Sequence, residues 1–333
     1  MYRVAVVGAT GMVGQKMLET LEEFNFPVKS LTLLASARSA GKKMTWKGNE
    51  YTIEELTPQS FDQPIDIAFF SAGGGTSTEF APIAAAKGVI VVDNSSAWRM
   101  NPEVSLIVPE VNWQDLDLKK SKIIANPNCS TIQSVVPLKP LSDALGLKRV
   151  VYTTYQAVSG TGQKGVEDLE KGEKGEPPTA YPHPIYGNCL PHIDQFLPDG
   201  YTKEEIKMVN ETRKILGIPD LLVSATCVRV PVWNSHAVAM NITFDKETSV
   251  AEIQELLNNA EGVRLEDNPS ENRYPMPILA TGNDLVWVGR IRKDESAPNT
   301  FHIWAVADNI RKGAASNAIQ IGLKLVQEKQ LSQ

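Results

Sequence analysis

The sequence predicts an α/β fold, with a doubly wound parallel sheet in the N-terminal part of the chain and a second α+β domain after it. The run YRVAVVG at residues 2–8 is β-branched, too short for a helix, and followed at once by a glycine-rich turn and a helix. Over about the first 125 residues, apolar strands alternate with helical stretches, as in parallel sheets covered on both faces. From residue 149 the strands alternate between apolar and polar residues, which indicates a different kind of sheet. A length of 333 residues also favours about two domains.

The glycine-rich turn opens the segment GATGMVGQKMLETLEEF, which begins at Gly8. Met17, Leu18, Leu21 and Phe24 follow at helical spacing, so strand, tight turn and helix are directly joined. Glycines let a ligand approach the backbone closely, and the N–H groups at the start of a helix can bind a pyrophosphate. We therefore predict a Rossmann-like dinucleotide site here, with a purely structural turn as the alternative. Its residues are Gly8, Thr10, Gly11, Met12, Val13 and Gly14.

Four further apolar runs, each followed by a turn, complete the predicted parallel sheet. They are SLTLLAS (30–36), IDIAFFSAG (65–73), GVIVVDNSS (88–96) and SKIIANPN (121–128), with helical stretches such as TSTEFAPIAAAKG between them. We place this first domain at residues 1–127. A C-terminal helix over 309–333 is expected to rejoin it, because one apolar stripe runs along that helix at Ile310, Ala314, Ala318, Ile321 and Leu325.

The second domain is predicted to span residues 128–308. The runs RVVYTTYQAVSG (149–160) and SATCVRVPVWNSHAVAMNITF (224–244) suit a sheet with helices on one side and one free face. A free face needs a cover, so we predict a homodimer that forms through it. The Gly/Pro/Lys-rich stretch 160–191 is predicted to be a long functional loop.

Composition excludes several classes of partner. The net charge is −6 and no basic stripe is present, so neither nucleic acid nor a membrane surface is an expected partner. No apolar run approaches eighteen residues, and the N-terminus lacks the pattern of a signal peptide. Three cysteines without close pairs indicate a reducing, cytoplasmic location. No metal site is predicted, since Cys189 and His192 form a C-x-x-H pair without a second pair of ligands.

The end of the second strand predicts which dinucleotide binds. An acidic residue there would bind the ribose hydroxyls of NAD, and the segment LLASARSAGKK contains none. Ser36, Arg38 and Ser39 instead offer two hydroxyls and a guanidinium, which suit the 2′-phosphate of NADP(H). A solvated basic loop is the alternative interpretation.

A candidate nucleophile lies in the segment IIANPNCSTIQ, residues 123–133. Cys129 follows a strand end and begins a helix, where the positive end of the helix dipole favours a thiolate. The carboxyl edge of a doubly wound sheet is also where ligands bind. A small buried hydrophobe is the alternative role for this cysteine, and it is the role we predict for Cys189 and Cys227.

A nucleophilic thiol needs a partner for proton transfer, and the chain has four histidines. His236 follows Arg229 by seven residues in VRVPVWNSHAV, so one strand–turn–strand segment could present both side chains. His183 and His302 are interpreted as structural. By itself His236 could equally be a hydrogen-bonded polar residue.

Five segments taken together resemble the aspartate-β-semialdehyde dehydrogenase family, in order and over nearly the whole chain. They are GATGMVG, NPNCSTIQ, QAVSGTG, EEIKMVNETRKIL and VSATCVRVPVWNSHA. The resemblance implies an oxidoreductase that converts L-aspartyl-4-phosphate to L-aspartate 4-semialdehyde with NADPH, through a cysteine thioester. It further implies a place in lysine, threonine, methionine and diaminopimelate biosynthesis.

The family's functional residues fall on particular positions of this chain. The resemblance implies that Cys129 is the acylated nucleophile, that Gln156 orients the intermediate, and that His236 is the acid/base. It implies that Arg229 binds the substrate carboxylate and Glu204 the substrate amine, with the adjacent Glu205 as the alternative. The phosphate ligands implied are Arg99, Asn128 and Lys207. The implied nicotinamide neighbours, for which ordinary loop packing is the alternative, are Ser159, Gly160 and Asn309.

Three other functions fit the sequence less well. N-acetyl-γ-glutamyl-phosphate reductase shares the Rossmann-like half and a cysteine/histidine pair, but acts on an acylated amine, for which Glu204 is unsuited. Glyceraldehyde-3-phosphate dehydrogenase shares the thioester chemistry, but its order of motifs does not fit. A catalytically silent NADP(H)-binding sensor is disfavoured because Cys129, Gln156, Arg229 and His236 occur together.

Overall fold

The computed structural model describes residues 1–331, which form two units. The first comprises Met1–Pro127 and the residues from Ala314 onward, and the second comprises Asn128–Gly313. The strands are β1 Tyr2–Val7, β2 Val28–Ala35, β3 Lys43–Trp46, β4 Asn49–Thr52, β5 Glu54–Glu55, β6 Ile67–Phe70, β7 Ile90–Asp93, β8 Ser105–Leu106, β9 Ile123–Ala125, β10 Leu147–Gln156, β11 Leu222–Arg229, β12 His236–Phe244, β13 Val263–Leu265, β14 Val286–Lys293 and β15 Thr300–Ala307. The helices are α1 Met12–Glu23, α2 Gly74–Ala86, α3 Pro109–Asn112, α4 Cys129–Leu145, α5 Gln163–Glu173, α6 Lys203–Leu216, α7 Val250–Asn258, α8 Pro277–Ala280 and α9 Ser316–Gln327.

Across residues 1–331 no helix is both long enough and apolar enough to cross a membrane.

The first unit is built on a parallel sheet of seven strands in the order β5-β2-β1-β6-β7-β9-β8. Strand β6 is buried along its whole length and β1 nearly so, as expected for strands covered on both faces. The predicted doubly wound α/β sheet is therefore confirmed. The strand order reverses at β1, which pairs with β2 on one side and β6 on the other, so the turn after β1 lies at the switch point where such sheets bind ligands.

The C-terminal helix is shorter than the predicted stretch 309–333. A π-helical turn covers Arg311–Ala315, and the α-helix begins only at Ser316. The Asp308 carboxylate accepts hydrogen bonds from the amides of Ile310 (2.9 Å) and Arg311 (3.1 Å), and this local bonding keeps residues 309 and 310 out of the helix. The boundary between the units accordingly falls after Gly313, and the last two positions of the predicted stretch lie outside the described residues.

The second unit contains a mixed sheet of six strands in the order β11-β10-β12-β15-β14-β13. Side chains alternate between a buried face, on which α4 packs, and a face that is half-exposed. On β10, for example, Val150, Tyr152 and Thr154 are buried, whereas Tyr155 is 38% exposed. The alternation of apolar and polar residues in the sequence thus correctly predicted a sheet with one covered face.

The stretch 160–191 was predicted to be a long loop, but part of it is helical. It contains α5, an eleven-residue helix that follows a 3-10 turn at Val158–Thr161. Glu and Lys are good helix formers, and Leu169 and Asp168 on one side of α5 are buried, so the segment gains stability from packing as well as propensity. Among the glycines that suggested a loop, Gly162 is the N-cap of α5 and Gly165 lies on its buried side, whereas Gly175 and Gly187 follow the helix.

Candidate active site

Cys129 is the first residue of α4, and Asn128 caps that helix. The Asn128 Oδ1 atom accepts hydrogen bonds from the amides of Ser130 (2.9 Å) and Thr131 (3.2 Å). The cap fixes the turn from which the half-buried thiol projects. The positive end of a seventeen-residue helix therefore lies at the sulfur, which favours the thiolate.

Three predicted site residues meet at one edge of the six-stranded sheet. Gln156 and Arg229 are register partners at the carboxyl ends of the parallel strands β10 and β11. His236 begins the antiparallel strand β12, opposite Ala307 at the end of β15. Strand register, rather than nearness in sequence, brings an amide, a guanidinium and an imidazole to the same place.

The backbone at Gly160 lies directly against two of these side chains. A Cβ atom added to Gly160 would lie 2.8 Å from the Arg229 Nη1 atom and 3.0 Å from the His236 Nε2 atom. Any side chain at this position would have to displace one of the two. Gly160 therefore leaves open the small space that the guanidinium and the imidazole both border.

The hydrogen bond to His236 defines which ring nitrogen carries the proton. The Ala157 amide donates to Nδ1 at 3.0 Å, so the proton of the neutral ring must be on Nε2. Burial lowers the pKa of His236 well below its usual value, and the charge of Arg229 lowers it further. The ring is therefore neutral at pH 7. Among the described residues, Nε2 has no hydrogen-bond partner. The imidazole thus presents an unused N–H donor beside Gly160.

Gln133 connects the helix of the thiol to the strand of the imidazole, and sequence reasoning missed it. Its Nε2 atom donates to the His236 carbonyl oxygen at 3.1 Å. Because Gln133 lies four residues after Cys129 on α4, its side chain is on the same face of the helix as the thiol. Its presence in the quoted segment NPNCSTIQ was the available signal.

Glu204 lies at the centre of the polar side chains of the second unit. Its Oε1 atom accepts hydrogen bonds from the Asn128 side chain (2.8 Å) and the Gln156 side chain (3.2 Å), and its Oε2 atom pairs with Lys207 at 3.1 Å. Burial alone would raise the pKa of Glu204, but the charge of Lys207 and the Asn128 hydrogen bond outweigh it, and the pKa is lowered. Glu204 is therefore a buried, ionised carboxylate.

Lys207 is held between two carboxylates. It pairs with Asp194 at 2.8 Å as well as with Glu204. Burial alone would lower the pKa of Lys207, but the charge of Glu204 and the Asp194 hydrogen bond raise it above its usual value. Its ammonium group is thus charged and fixed at the edge of the cluster.

The neighbouring Glu205 has a different role. Its Oε2 atom accepts the Thr202 amide at 2.7 Å and its Oε1 atom accepts the Cys227 amide at 3.0 Å. With the Thr202 hydroxyl, it forms the capping box of α6. Both carboxylate oxygens of Glu205 are therefore bonded to backbone amides.

Ser159 and Asn309 brace the residue before His236. The Asn309 side chain donates to the Ser159 hydroxyl at 3.0 Å, and its Oδ1 atom accepts the Ser235 amide at 2.9 Å. Ser235 has a positive φ of 71°, so the turn into β12 needs this support. Both side chains are buried and bonded within the second unit.

The glycine turn of the first unit has the geometry of a phosphate-binding turn. Gly8 has a φ of +84°, and a Cβ atom on Gly14 would lie 2.2 Å from the Gly8 carbonyl oxygen. Gly11 is the N-cap of α1, and across residues 1–331 no side chain caps that helix end. The amides of Met12, Val13 and Gly14, in the first turn of α1, therefore have no side-chain cap within the described part of the chain. Thr10 lies within the turn, where its carbonyl oxygen accepts from Gln15 at 3.0 Å.

Ser36, Arg38 and Ser39, the predicted ligands of the 2′-phosphate, follow the end of β2. Ser36 and Arg38 are exposed and Ser39 is buried, on and before the 3-10 turn Ala37–Ser39. The exposed guanidinium can thus turn toward an anionic group without breaking an internal bond. No acidic residue occurs in this turn.

A second glycine-rich helix start lies beside the first and was missed in the sequence. Gly73 has a φ of +86° and is the N-cap of α2, which begins at Gly74. Cβ atoms added to Gly73, Gly74 and Gly75 would meet no atom of the described residues within 4 Å, and the Ser71 amide bonds to the Val7 carbonyl oxygen at 2.8 Å. The signal was three consecutive glycines directly after an apolar strand.

Arg99 belongs to the first unit, where it is buried. Its Nε atom donates to the Asn126 carbonyl oxygen and its Nη2 atom to the Asn94 carbonyl oxygen, both at 2.9 Å. These carbonyls follow β9 and β7 directly. Arg99 therefore ties two strand ends together, whatever else it binds.

Other sequence predictions concerned cysteines and histidines. Cys227 is buried as predicted, but Cys189 is exposed rather than packed, because it lies in a loop where the Asn188 side chain accepts its amide at 2.8 Å. His183 is likewise exposed rather than structural. The ring of His192 stacks on Phe196 with centroids 4.2 Å apart. Residues 1–331 contain no disulfide and no group of three side chains suited to a metal ion.

Known proteins match most of this chain. The description "Semialdehyde dehydrogenase, NAD binding domain" matches residues 3–119, and "Semialdehyde dehydrogenase, dimerisation domain" matches residues 138–312. The chain is 57% identical to the aspartate-semialdehyde dehydrogenase of Aquifex aeolicus, over 98% of each chain. It is 49% identical to that of Bacillus subtilis, over 97% of this chain and 96% of the relative.

Solved structures give the same result. The crystal structure of aspartate semialdehyde dehydrogenase II complexed with ASA from Vibrio cholerae has a TM-score of 0.94 and 44% identity, over 98% of each chain. The aspartate semialdehyde dehydrogenase with NADP from Candida albicans has a TM-score of 0.77 and 26% identity, also over 98% of each chain. The resemblance predicted from the motifs is therefore confirmed, and this chain belongs to the aspartate-semialdehyde dehydrogenase family.

Proposed function

We propose that this protein catalyses the NADPH-dependent reductive dephosphorylation of L-aspartyl-4-phosphate to L-aspartate 4-semialdehyde. The observation that carries the proposal is that a thiol, an imidazole and a guanidinium are connected within the second unit. A thiol lies at a helix N-terminus, its helix is bonded to the His236 strand through Gln133, and the imidazole and Arg229 both border Gly160. These are the parts that acyl transfer through a thioester requires.

Cys129 acts first as the nucleophile. Its thiolate attacks the acyl carbon, the bond to the phosphate oxygen breaks, and phosphate leaves with the electron pair. The product is a thioester on Cys129. Gln156, which is buried and bonded to Glu204, orients the acyl group from the carboxyl end of β10.

His236 then stabilises the charge that develops on oxygen in the reduction step. When bound, the nicotinamide cofactor supplies the hydride that reduces the thioester carbonyl. The Nε2–H group of the neutral His236 ring donates a hydrogen bond to the oxyanion of the resulting tetrahedral intermediate. The proton stays on Nε2, and the carbonyl re-forms as the thiolate leaves with the electron pair of the C–S bond.

Charged side chains of the second unit recognise the substrate. The guanidinium of Arg229 suits the α-carboxylate, because it can form two parallel hydrogen bonds with it. The ionised Glu204 suits the free ammonium group, and Glu205 is committed to the capping box. An N-acetylated substrate would place an uncharged amide against Glu204, so the aspartyl substrate is favoured over the N-acetyl-γ-glutamyl one. Lys207 and Asn128 are proposed phosphate ligands from this unit, and Arg99 from the first unit.

The cofactor we propose is NADP(H). The glycine turn at Gly8–Gly14 and the helix start at Gly74 offer amide groups and space for a pyrophosphate. The exposed Arg38 and Ser36 suit a 2′-phosphate. Ser159, Gly160 and Asn309 are the proposed nicotinamide neighbours, with Gly160 providing room beside His236. A biosynthetic enzyme that depends on a thiol works best in a reducing compartment, so we propose a cytoplasmic location.

The reaction can be tested directly in the phosphorylating direction. Purified protein with NADP⁺ and phosphate is offered aspartate semialdehyde, N-acetyl-glutamate semialdehyde or glyceraldehyde 3-phosphate in turn, and the nicotinamide absorbance is followed. We expect reduction of NADP⁺ only with aspartate semialdehyde. Turnover of another aldehyde in its place would refute the substrate assignment, and no turnover with any of them would favour a silent sensor.

Arg38→Ala tests the choice of cofactor. Loss of a charge-assisted pair to the 2′-phosphate should weaken NADPH binding by about tenfold to a hundredfold, with little effect on NADH. Both dissociation constants can be measured by nicotinamide fluorescence, and the nearby Lys43→Ala, whose side chain pairs with Glu50, serves as the control. Equal weakening of NADPH and NADH would contradict the phosphate role.

The half-exposed face of the six-stranded sheet is proposed to form a homodimer. It carries Tyr155, whose ring lies 5.3 Å from that of Trp304. Beside Trp304 is a cavity of about 360 Å³, lined also by Tyr274, Pro275 and Met276. A second copy of the chain would bury these rings, and the matched family description is that of a dimerisation domain.

Tyr155→Glu should weaken the dimer, because it places a charge within an apolar interface. We expect the wild-type protein to elute with twice the chain mass in light scattering and the variant to shift toward the single-chain mass at micromolar concentration. Leu222→Glu introduces the same charge at another exposed position, on the edge strand β11 at the border of this face, and serves as the comparison variant. A wild-type monomer, or an unchanged mass for Tyr155→Glu, would contradict the proposed interface.

A further inference from the structure

Asp168 is a buried carboxylate for which the proposed mechanism has no use. It lies on α5 and is 1% exposed. Its Oδ1 atom accepts the amide and the hydroxyl of Thr179, both at 2.8 Å, and its Oδ2 atom accepts the amides of Ala180 (2.7 Å) and Tyr181 (3.0 Å). Burial alone would raise the pKa of Asp168, but these hydrogen bonds outweigh it and lower the pKa. One ionised side chain therefore holds three consecutive backbone amides against α5.

The held segment places the ring of Tyr181 beside Arg229. The Arg229 Cζ atom lies over that ring, 6.0 Å from its centroid. The hydroxyl of Tyr181 donates to the Thr161 hydroxyl at 2.9 Å. A Cβ atom on Gly165 would lie 2.7 Å from the Tyr181 hydroxyl oxygen, so the missing side chain on α5 makes room for the phenol. Contacts with Arg229, Thr161 and Gly165 together fix the position of the ring.

Arg229 itself has few other restraints. Its Nη1 atom donates to the Ala157 carbonyl oxygen at 2.7 Å, and within residues 1–331 its Nε atom has no hydrogen-bond partner. The side chain is 4% exposed. An aromatic face attracts a guanidinium without using any of its N–H groups. Tyr181 can therefore hold the guanidinium in place while leaving donors available to a ligand.

We propose that Tyr181 is a positioning residue, which holds the Arg229 guanidinium in the orientation that binds the substrate carboxylate, and that Asp168 holds Tyr181 through residues 179–181. This inference rests on the proposed function, because it takes Arg229 as the carboxylate ligand. It gives the chain after α5 a part in substrate specificity, although none of its residues needs to touch the reacting atoms. The substrate class concerned is the α-amino acid aldehyde with a free carboxylate.

The test compares two substitutions of Tyr181 with one of another tyrosine on the same stretch. Tyr181→Leu should raise KM for aspartate semialdehyde about fivefold to twentyfold, because the aromatic contact to the buried Arg229 guanidinium is lost. The KM values for phosphate and NADP⁺ should stay within about twofold. Tyr181→Phe keeps the ring and should restore the semialdehyde KM to within about threefold of wild type. Tyr186→Leu, at a position 52% exposed, is the matched control and should change nothing.

Asp168→Asn tests the second half of the proposal. The amide has nearly the same shape, but its NH₂ group cannot accept a backbone hydrogen bond, so residues 179–181 should be released. Asp168→Asn should reproduce the semialdehyde effect of Tyr181→Leu, and the double variant should be no worse than either single variant. If Tyr181→Leu does not fold, Asp168→Asn and Tyr181→Phe carry the test alone.

Three results would overturn the inference. They are an unchanged semialdehyde KM in Tyr181→Leu, an equal rise in the KM for phosphate, and an equal effect of Tyr186→Leu. Additive effects of Asp168→Asn and Tyr181→Leu would overturn the role of Asp168. Arg229→Lys, measured in the same assay, distinguishes failure of the Tyr181 proposal from failure of the proposed function. If Arg229→Lys has a normal KM for the semialdehyde, Arg229 is not the carboxylate ligand.

Discussion

Cys129→Ala is expected to lower turnover by about 10⁴-fold or more, while NADPH binding stays unchanged. In the proposed mechanism the thiol forms the covalent intermediate, and alanine at this position removes the nucleophile. The proposed cofactor turn at Gly8–Gly14 is built from backbone atoms of the first unit, so it does not depend on the Cys129 side chain. The measurement is the rate of NADP⁺ reduction together with NADPH binding by fluorescence.

Two further cysteine variants make this result specific. Cys129→Ser keeps the size of the side chain, but a hydroxyl is a much weaker nucleophile than a thiol, so it should be nearly as inactive. Cys189→Ala removes an exposed thiol and should retain full activity. If Cys129→Ala lost turnover and NADPH binding together, Cys129 would be a packing residue and the thioester mechanism would fall.

Arg229→Lys is expected to lower kcat/KM for aspartate semialdehyde by about a hundredfold, with little change in KM for phosphate. Lysine keeps the charge but loses the planar fork that binds a carboxylate at two points, so the substrate would no longer be aligned with Cys129. The variant would also lose the hydrogen bond from Nη1 to the Ala157 carbonyl oxygen. The measurement is both Michaelis constants in the phosphorylating direction at fixed NADP⁺.

Arg99→Ala provides the comparison for Arg229→Lys. If Arg99 binds phosphate, its loss should raise the apparent KM for phosphate and leave that for the semialdehyde largely unchanged. Because Arg99 also bonds to the carbonyls of Asn94 and Asn126, thermal unfolding should be recorded beside the kinetics. A reversed pattern would mean that the two arginines had been given each other's ligands. Equal effects of both variants on both substrates would refute the division between them.

Much of the first unit could be predicted because its information is local. The run Tyr2–Val7 and the turn at Gly8 lie within one short segment, and hydrophobic period and glycine content predict both. The same holds in the second unit for the start of α4 at Cys129, which was predicted from one short segment. The C-terminal helix was predicted too long because the carboxylate of Asp308 changes the backbone at residues 309–311, which an apolar stripe does not reveal.

The candidate site was predicted only partly. Motifs indicated Cys129, Gln156, Arg229 and His236, but the choice between Glu204 and Glu205 depended on contacts distant in sequence. Glu205 accepts the amide of Cys227, twenty-two residues away, and Glu204 accepts the side chain of Asn128, seventy-six residues away. Two adjacent glutamates on a helix point in different directions, and only the packing of α6 decides which one reaches Asn128 and Gln156.

The sequence by itself determined the fold class, the family and the chemical identity of the reacting groups, because strand period, turn residues and side-chain type are properties of short segments. Only the tertiary structure decided how those groups act on one another. It placed the proton of His236 on Nε2 through the amide of Ala157, bonded the helix of Cys129 to that histidine through Gln133, and set Tyr181 over Arg229. Each of these depends on a hydrogen bond or ring contact between residues far apart in the chain, whose geometry exists only after strand register and helix packing are complete.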